Sequence, residues 1–138
     1  MIDQRTAPYG ALALRVSLGV LLLAHGLLKL LVFTLPGAAG YFQSIGLPGW
    51  FAYVVTFGEL AGGVALIIGF YARYVALVFV LELLGTIFFV HGANGWLFAN
   101  KGGGWEYPAF WAMALFVQFL MGDGKWALKR SLRSRRRS

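Results

Sequence analysis

Four apolar stretches, each close to the length of a bilayer crossing, constrain this chain more than any other feature. They run from about residue 11 to 33, 50 to 70, 73 to 91 and 107 to 121. Spanning the hydrocarbon as a helix takes about 20 mostly apolar residues. Composition agrees: 59% of residues are hydrophobic, 12% are charged, and the mean hydropathy is +0.72. A soluble domain carries about a quarter charged residues, so this chain has too little polar surface to clothe a globule in water. The expected fold is all-α, a four-transmembrane-helix bundle over residues 1–124 followed by a basic tail over residues 125–138. The first stretch is too long for the h-region of a secretory signal, which is about 7–15 residues.

Charge placement sets the expected topology. The net charge is +7, and Lys125, Lys129, Arg130, Arg133, Arg135, Arg136 and Arg137 all fall in the tail. A basic run directly after an apolar helix anchors topology against anionic lipid headgroups, so membrane lipids are the expected partner and nucleic acid is not. Arg5, Arg15 and Arg73 fall on the side of the tail, while Lys29 and Lys101 fall on the other. The positive-inside rule then places both termini in the cytoplasm. Trp50, Phe51, Trp96, Phe98, Trp105, Tyr107 and Trp111 form an outer aromatic belt in this reading, with Trp126 at the inner face. Residues 35–49 are uncharged and rich in glycine and proline, and read as an interfacial link. Residues 71–73 read as a tight hairpin, and the run from Lys101 to Gly104 as a flexible external turn without the spacing of a phosphate loop.

Ionisable groups at bilayer depth cost about 2.5–3.5 kcal/mol each on insertion scales, so they need partners or a task. Glu59 and Glu82 lie within the second and third stretches, and Glu106 at the outer end of the fourth. His25 and Glu59 each lie roughly 12 Å below the outer ends of their helices, at about 1.5 Å per residue. His25 and Lys29 are spaced i, i+4 and share a helix face, so Glu59 can pair with either. Glu82 has two candidate neighbourhoods. Arg15 can reach it as a structural ion pair, whereas counting from the helix ends sets it level with His25 and Glu59. An outward polar pocket of His25, Lys29, Glu59, His91, Asn94 and Glu106 is the functional reading. A set of buried ion pairs that merely orient the helices is the structural one.

Other chemistry is narrowed by what the sequence lacks. There is no cysteine, which removes disulfides, thiol nucleophiles and iron–sulfur ligation. The two histidines fall in no metal-binding motif, so no metal site is expected. Gly58 and Gly62, extended by Gly63, form a small-residue motif that lets helices approach closely, here read as packing the second helix against the first. The pattern L-G-x5-H-G occurs twice, ending at His25-Gly26 and at His91-Gly92, which allows a parallel two-plus-two repeat.

These residues, in order, resemble the DoxX family. The resemblance is carried by Arg15 with Leu18-Gly19, by His25-Gly26-Leu27-Leu28-Lys29, and by Phe42 with Gly46-Leu47-Pro48. It continues through Gly58-Glu59-Leu60 with Gly62-Gly63, Gly69-Phe70-Tyr71-Ala72-Arg73, His91, Gly103-Gly104-Trp105-Glu106-Tyr107-Pro108 and Gly122-Asp123-Gly124-Lys125. The resemblance implies a four-helix bundle in the cytoplasmic (inner) membrane. It also implies a link to redox processes, as a subunit or accessory of an oxidoreductase, with a quinone as the cofactor class. His25, Lys29 and Glu59 are then the candidate catalytic groups, His91, Asn94 and Glu106 the candidate cofactor contacts, and Arg15 with Glu82 the candidate structural pair. A small transporter with the same residues as a relay, and a scaffold that recruits a soluble enzyme through its basic tail, are the alternatives.

Overall fold

Proline and glycine set the helix boundaries. Pro8 lies in the first turn of α1 (Ala7–Leu27) and Pro36 in the first turn of α2 (Leu35–Ser44), where proline's missing N–H is not needed. Pro48 precedes α3 (Gly49–Ile68), which ends at Gly69 in the left-handed conformation, φ 76°. Two further helices, α4 (Ala72–Thr86) and α5 (Glu106–Met121), complete the set. The computed structural model describes residues 1–131. Arg133, Arg135, Arg136 and Arg137 of the basic tail lie outside the described residues, which are all-helical apart from turns and one isolated bridge.

Three helical runs are long and apolar enough to cross a membrane. α1 continues through a π-helical turn, Leu28–Val32, to make 26 residues from Ala7 to Val32; α3 has 20; α4 continues through a second π-helical turn, Ile87–His91, to make 23 residues from Ala72 to Asn94. The fourth apolar stretch forms α5, of 16 residues, about 24 Å long at 1.5 Å per residue. The surface suits lipid: Leu81 is 66% exposed, Phe88 80% and Phe110 76%, while Arg15, Thr56, Glu59 and Gln118 are buried. Apolar groups outside and polar groups inside are stable only where the solvent is itself apolar.

The link expected over residues 35–49 contains a helix, α2. Thr34 caps it, its hydroxyl accepting from Gly37 N at 3.3 Å. Buried Ala38 faces the bundle. Two glycines and one proline within α2 disguise it, yet Pro36 sits where the first turn tolerates it and the cap is of a favoured type.

The helices associate in two pairs, α1 along α3 and α4 along α5, with α2 laid on α3. Close approach of α1 and α3 depends on Gly19 and Gly63. A Cβ on Gly63 would lie 2.7 Å from Leu23 N and 2.8 Å from Gly19 O. Gly62 faces the other way, beneath the Phe79 ring of α4, while Gly58 meets open space. The small-residue contact with α1 is therefore made by Gly63, and Gly58 is left facing a gap between α3 and α4. That gap positions the site.

At the hairpin end, the first residues of the tail are strapped to the helix ends. Lys125 N donates to Pro8 O at 3.1 Å, Leu128 N to Ile68 O at 3.1 Å, and Tyr71 N to Lys129 O at 3.0 Å. Asp123 accepts from Ser131 N and Oγ, each at 2.7 Å, and from Arg73 N at 3.3 Å.

Candidate functional site

The site begins with the π-helical turn after α1. Phe33 N donates to Leu28 O at 3.0 Å, an i to i+5 bond that widens the helix by one residue; such turns recur at functional sites. Lys29 lies in this turn and reaches α3, donating to Glu59 Oε2 at 2.8 Å and Oε1 at 3.1 Å. It is the one salt bridge among the described residues, and Glu59 is only 5% exposed. Two charge-assisted hydrogen bonds offset the cost of holding both charges away from water.

Each histidine has one ring nitrogen committed. His25 Nδ1 lies 2.9 Å from Leu21 O, and His91 Nδ1 2.8 Å from Gly103 O. A carbonyl oxygen only accepts, so both Nδ1 atoms carry a proton, and in the neutral imidazole each Nε2 is a lone-pair acceptor. His91 ends the second π-helical turn. It is held there by the loop that follows, where Asn94 Nδ2 also donates to Gly103 O, at 2.9 Å.

His25, Lys29, Glu59, Glu82, Thr86, His91, Tyr107 and Trp111 surround a polar pocket of about 120 Å³. It adjoins an apolar groove of about 1190 Å³, with Lys29, Glu59, Glu82, Thr86, His91 and Phe98 lining both. The groove runs between α2 and α3 on one side and α4 on the other, walled by Phe42, Phe51, Val54, Val78, Phe79 and Phe89. Val54 and Val78 are also exposed on the outer surface, so the groove opens sideways to the apolar solvent. The result is an amphiphilic cavity: a polar end inside the bundle and a long apolar channel leading out of it.

Several expected placements are corrected. Arg15 and Glu82 do not pair. Arg15 is ten residues before His25, about 15 Å along the helix, and its Nη2 donates to Lys125 O at 3.0 Å at the hairpin end. Glu82 instead lines the polar pocket, the alternative that counting from the helix ends offered. Asn94 and Glu106 are not pocket walls. Asn94 bonds to Val90 O and Gly103 O, and Glu106 Oε1 accepts from Phe98 N at 3.2 Å; together they shape the loop that carries His91 and Phe98. The run from Lys101 to Gly104 is not a loose turn, since Gly103 N donates to Asn100 O at 2.8 Å and Gly104 N to Leu97 O at 3.1 Å.

Trp111 is the largest departure. Expected in the outer belt, it is 7% exposed, with its ring centroid 4.7 Å from that of His25. Its Nε1 is buried without a hydrogen-bond partner, which costs about 1–3 kcal/mol unless another molecule supplies an acceptor. Its place five residues into α5, facing α1, could not be read from periodicity in an apolar run. Tryptophan's need for a polar partner when buried is the signal that could have marked it.

The DoxX family model matches residues 10–92, more than half of the chain. A curated relative named "Putative oxidoreductase CatD", from Bacillus subtilis (strain 168), is 42% identical over 78 residues, 56% of this chain and 57% of that relative. The chain thus spans just over half the length of the relative it matches. No solved structure matches it.

Proposed function

As the chain belongs to the DoxX family, we propose that it is a multi-pass inner-membrane protein serving a redox process as a subunit or accessory, and that its cavity binds a quinone-type amphiphile. The observation that carries this reading is the junction of the polar pocket with the groove. A ring bearing oxygens fits among His25, Lys29, Glu59 and Trp111, and its apolar chain fits the groove between α3 and α4. The groove, about 1190 Å³, exceeds the roughly 300–1,000 Å³ of typical small-molecule sites and so has room for a long apolar chain, while the polar pocket, about 120 Å³, takes only the head. The name of the Bacillus subtilis relative is consistent with redox work.

The quinone would supply the electron chemistry, because this cysteine-free chain has no thiol–disulfide chemistry of its own. The chain's residues bind and handle protons. Lys29 and Glu59 fix the floor of the pocket, His25 Nε2 is placed to hold a proton, and the aromatic walls keep water out. In this reading α5 is the fourth crossing, both termini are cytoplasmic, and the pocket lies toward the outer half. An oxidoreductase partner would complete the electron path.

Titration of the purified protein in lipid nanodiscs with decylubiquinone tests this. We expect saturable binding that weakens at least fivefold in Trp111→Phe, about 1 kcal/mol at 1.4 kcal/mol per decade, because the unpartnered indole N–H is the donor a quinone oxygen can use. Gly58→Phe, which fills the groove from a position facing open space, should abolish binding without disturbing the helix contacts. A linear, non-saturating response identical in all three proteins would contradict the proposal.

A further inference from the structure

Two rings that line the polar pocket lie against each other, and each has a ring nitrogen without a hydrogen bond among the described residues. Trp111 Nε1 is a buried donor without an acceptor. The His25 ring lies 4.7 Å from that of Trp111 between centroids; its Nδ1 serves Leu21 O, so in the neutral imidazole its Nε2 is an acceptor. Both rings line the polar pocket. A neighbouring donor and acceptor are satisfied together by one group that is both, a hydroxyl.

The rest of the pocket leans the same way. His91 also has its Nδ1 committed, to Gly103 O, leaving a second imidazole acceptor. Lys29 gives two of its three N–H groups to Glu59, and the Thr86 hydroxyl donates to Glu82 O at 3.1 Å. Tyr107 can donate or accept and so discriminates nothing. A quinone, whose ring oxygens only accept, answers Trp111 but leaves the His25 and His91 acceptors without donors. A hydroquinone answers both kinds.

We infer that the pocket selects the hydroxyl-bearing, reduced form of the ring, with Trp111 N–H donating to the hydroxyl oxygen and the hydroxyl donating to His25 Nε2. This rests on the reading of the cavity as a quinone-type site and adds the oxidation state it prefers. Discrimination of this kind is strong where a site built to hydrogen-bond a hydroxyl meets an analogue lacking it, because the buried polar groups are then left unpaired.

The experiment compares decylubiquinol with decylubiquinone, under anaerobic conditions, by calorimetric titration of the nanodisc-embedded protein. The wild type should bind the quinol at least tenfold more tightly. His25→Phe, which keeps a ring but removes the acceptor, should bring the quinol constant to within about twofold of the quinone constant; His25→Ala gives the same reading should the larger ring disturb the fold. Trp111→Phe should weaken both forms at least fivefold, because it removes the donor that either oxygen uses. Equal affinity of the wild type for the two forms, or a quinol preference that survives both His25 variants, overturns the inference and leaves the quinone site standing. Binding of neither form overturns both.

Discussion

Replacing Lys29 with methionine should destabilise the folded chain by about 3–5 kcal/mol, the cost of leaving one buried charge without its partner. The buried partner is Glu59, 5% exposed, which receives two hydrogen bonds from Lys29 at 2.8 and 3.1 Å. Without the ammonium, its carboxylate has no cation within salt-bridge distance among the described residues. The double variant Lys29→Met/Glu59→Gln should recover most of the loss, because it removes both charges together. Thermal melting in detergent across the four proteins of the cycle measures the coupling. A double variant as unstable as the sum of the singles would mean that the two residues act independently. The double variant should still bind ligand poorly, since it folds but no longer has the charged floor of the pocket.

The second large effect lies at the opposite end of the bundle. Arg15 is 1% exposed, and its guanidinium donates to Lys125 O at 3.0 Å, fastening residues 125–131 across the helix ends. Gly69 is built around it, since a Cβ there would collide with Arg15 Nη1. Arg15→Ala should cost about 2–3 kcal/mol, from the loss of a hydrogen bond to a charged donor and the space left behind. It should expose the strap to limited proteolysis while leaving ligand binding intact. Gly69→Ala should be comparably harmful, since it combines the steric conflict with a left-handed backbone that costs a residue with a Cβ about 1–2 kcal/mol. In the Arg15→Ala background the conflict with the guanidinium is gone, while the 2.7 Å approach to Ala127 Cα and the backbone cost remain, so the two changes together should cost less than their sum. Strict additivity would show that Gly69 and Arg15 do not share a site.

These two ends differ in how far they could be read from sequence. The apolar stretches and the i, i+4 spacing of His25 and Lys29 follow from helix geometry alone. That Glu59 has a partner follows from the need to neutralise charge at depth, but the sequence leaves His25 and Lys29 equally eligible, and the structure selects Lys29. What could not be read are contacts that depend on how helices rotate about their axes. In a helix that is apolar all round, nothing in the pattern marks which face meets a neighbour. Trp111 could therefore as well have faced lipid as His25, and Glu82 could have faced Arg15 or the pocket. The two π-helical turns add to this, because each shifts the register of the residues beyond it and so re-aims Lys29 and His91. The helix α2 was hidden by its own glycines and proline. With it went the groove, one wall of which is α2. Asn94 and Glu106 lie at the same end of the bundle as His91, yet their side chains are used in folding the loop over residues 95–105 rather than in lining the polar pocket.

In the proposed mode of binding, the polar pocket and the apolar groove form one site, with the head of an amphiphile held by His25 and Trp111. A cryo-electron microscopy structure of the protein in nanodiscs saturated with decylubiquinol tests it most directly, with a rigid binder to give the small particle sufficient mass. The expected result is ring density within hydrogen-bond distance of His25 Nε2 and Trp111 Nε1, with the decyl chain lying between α3 and α4 past Gly58. A pocket closed by its own side chains, with the ligand found only on the outer surface of the bundle, would contradict it.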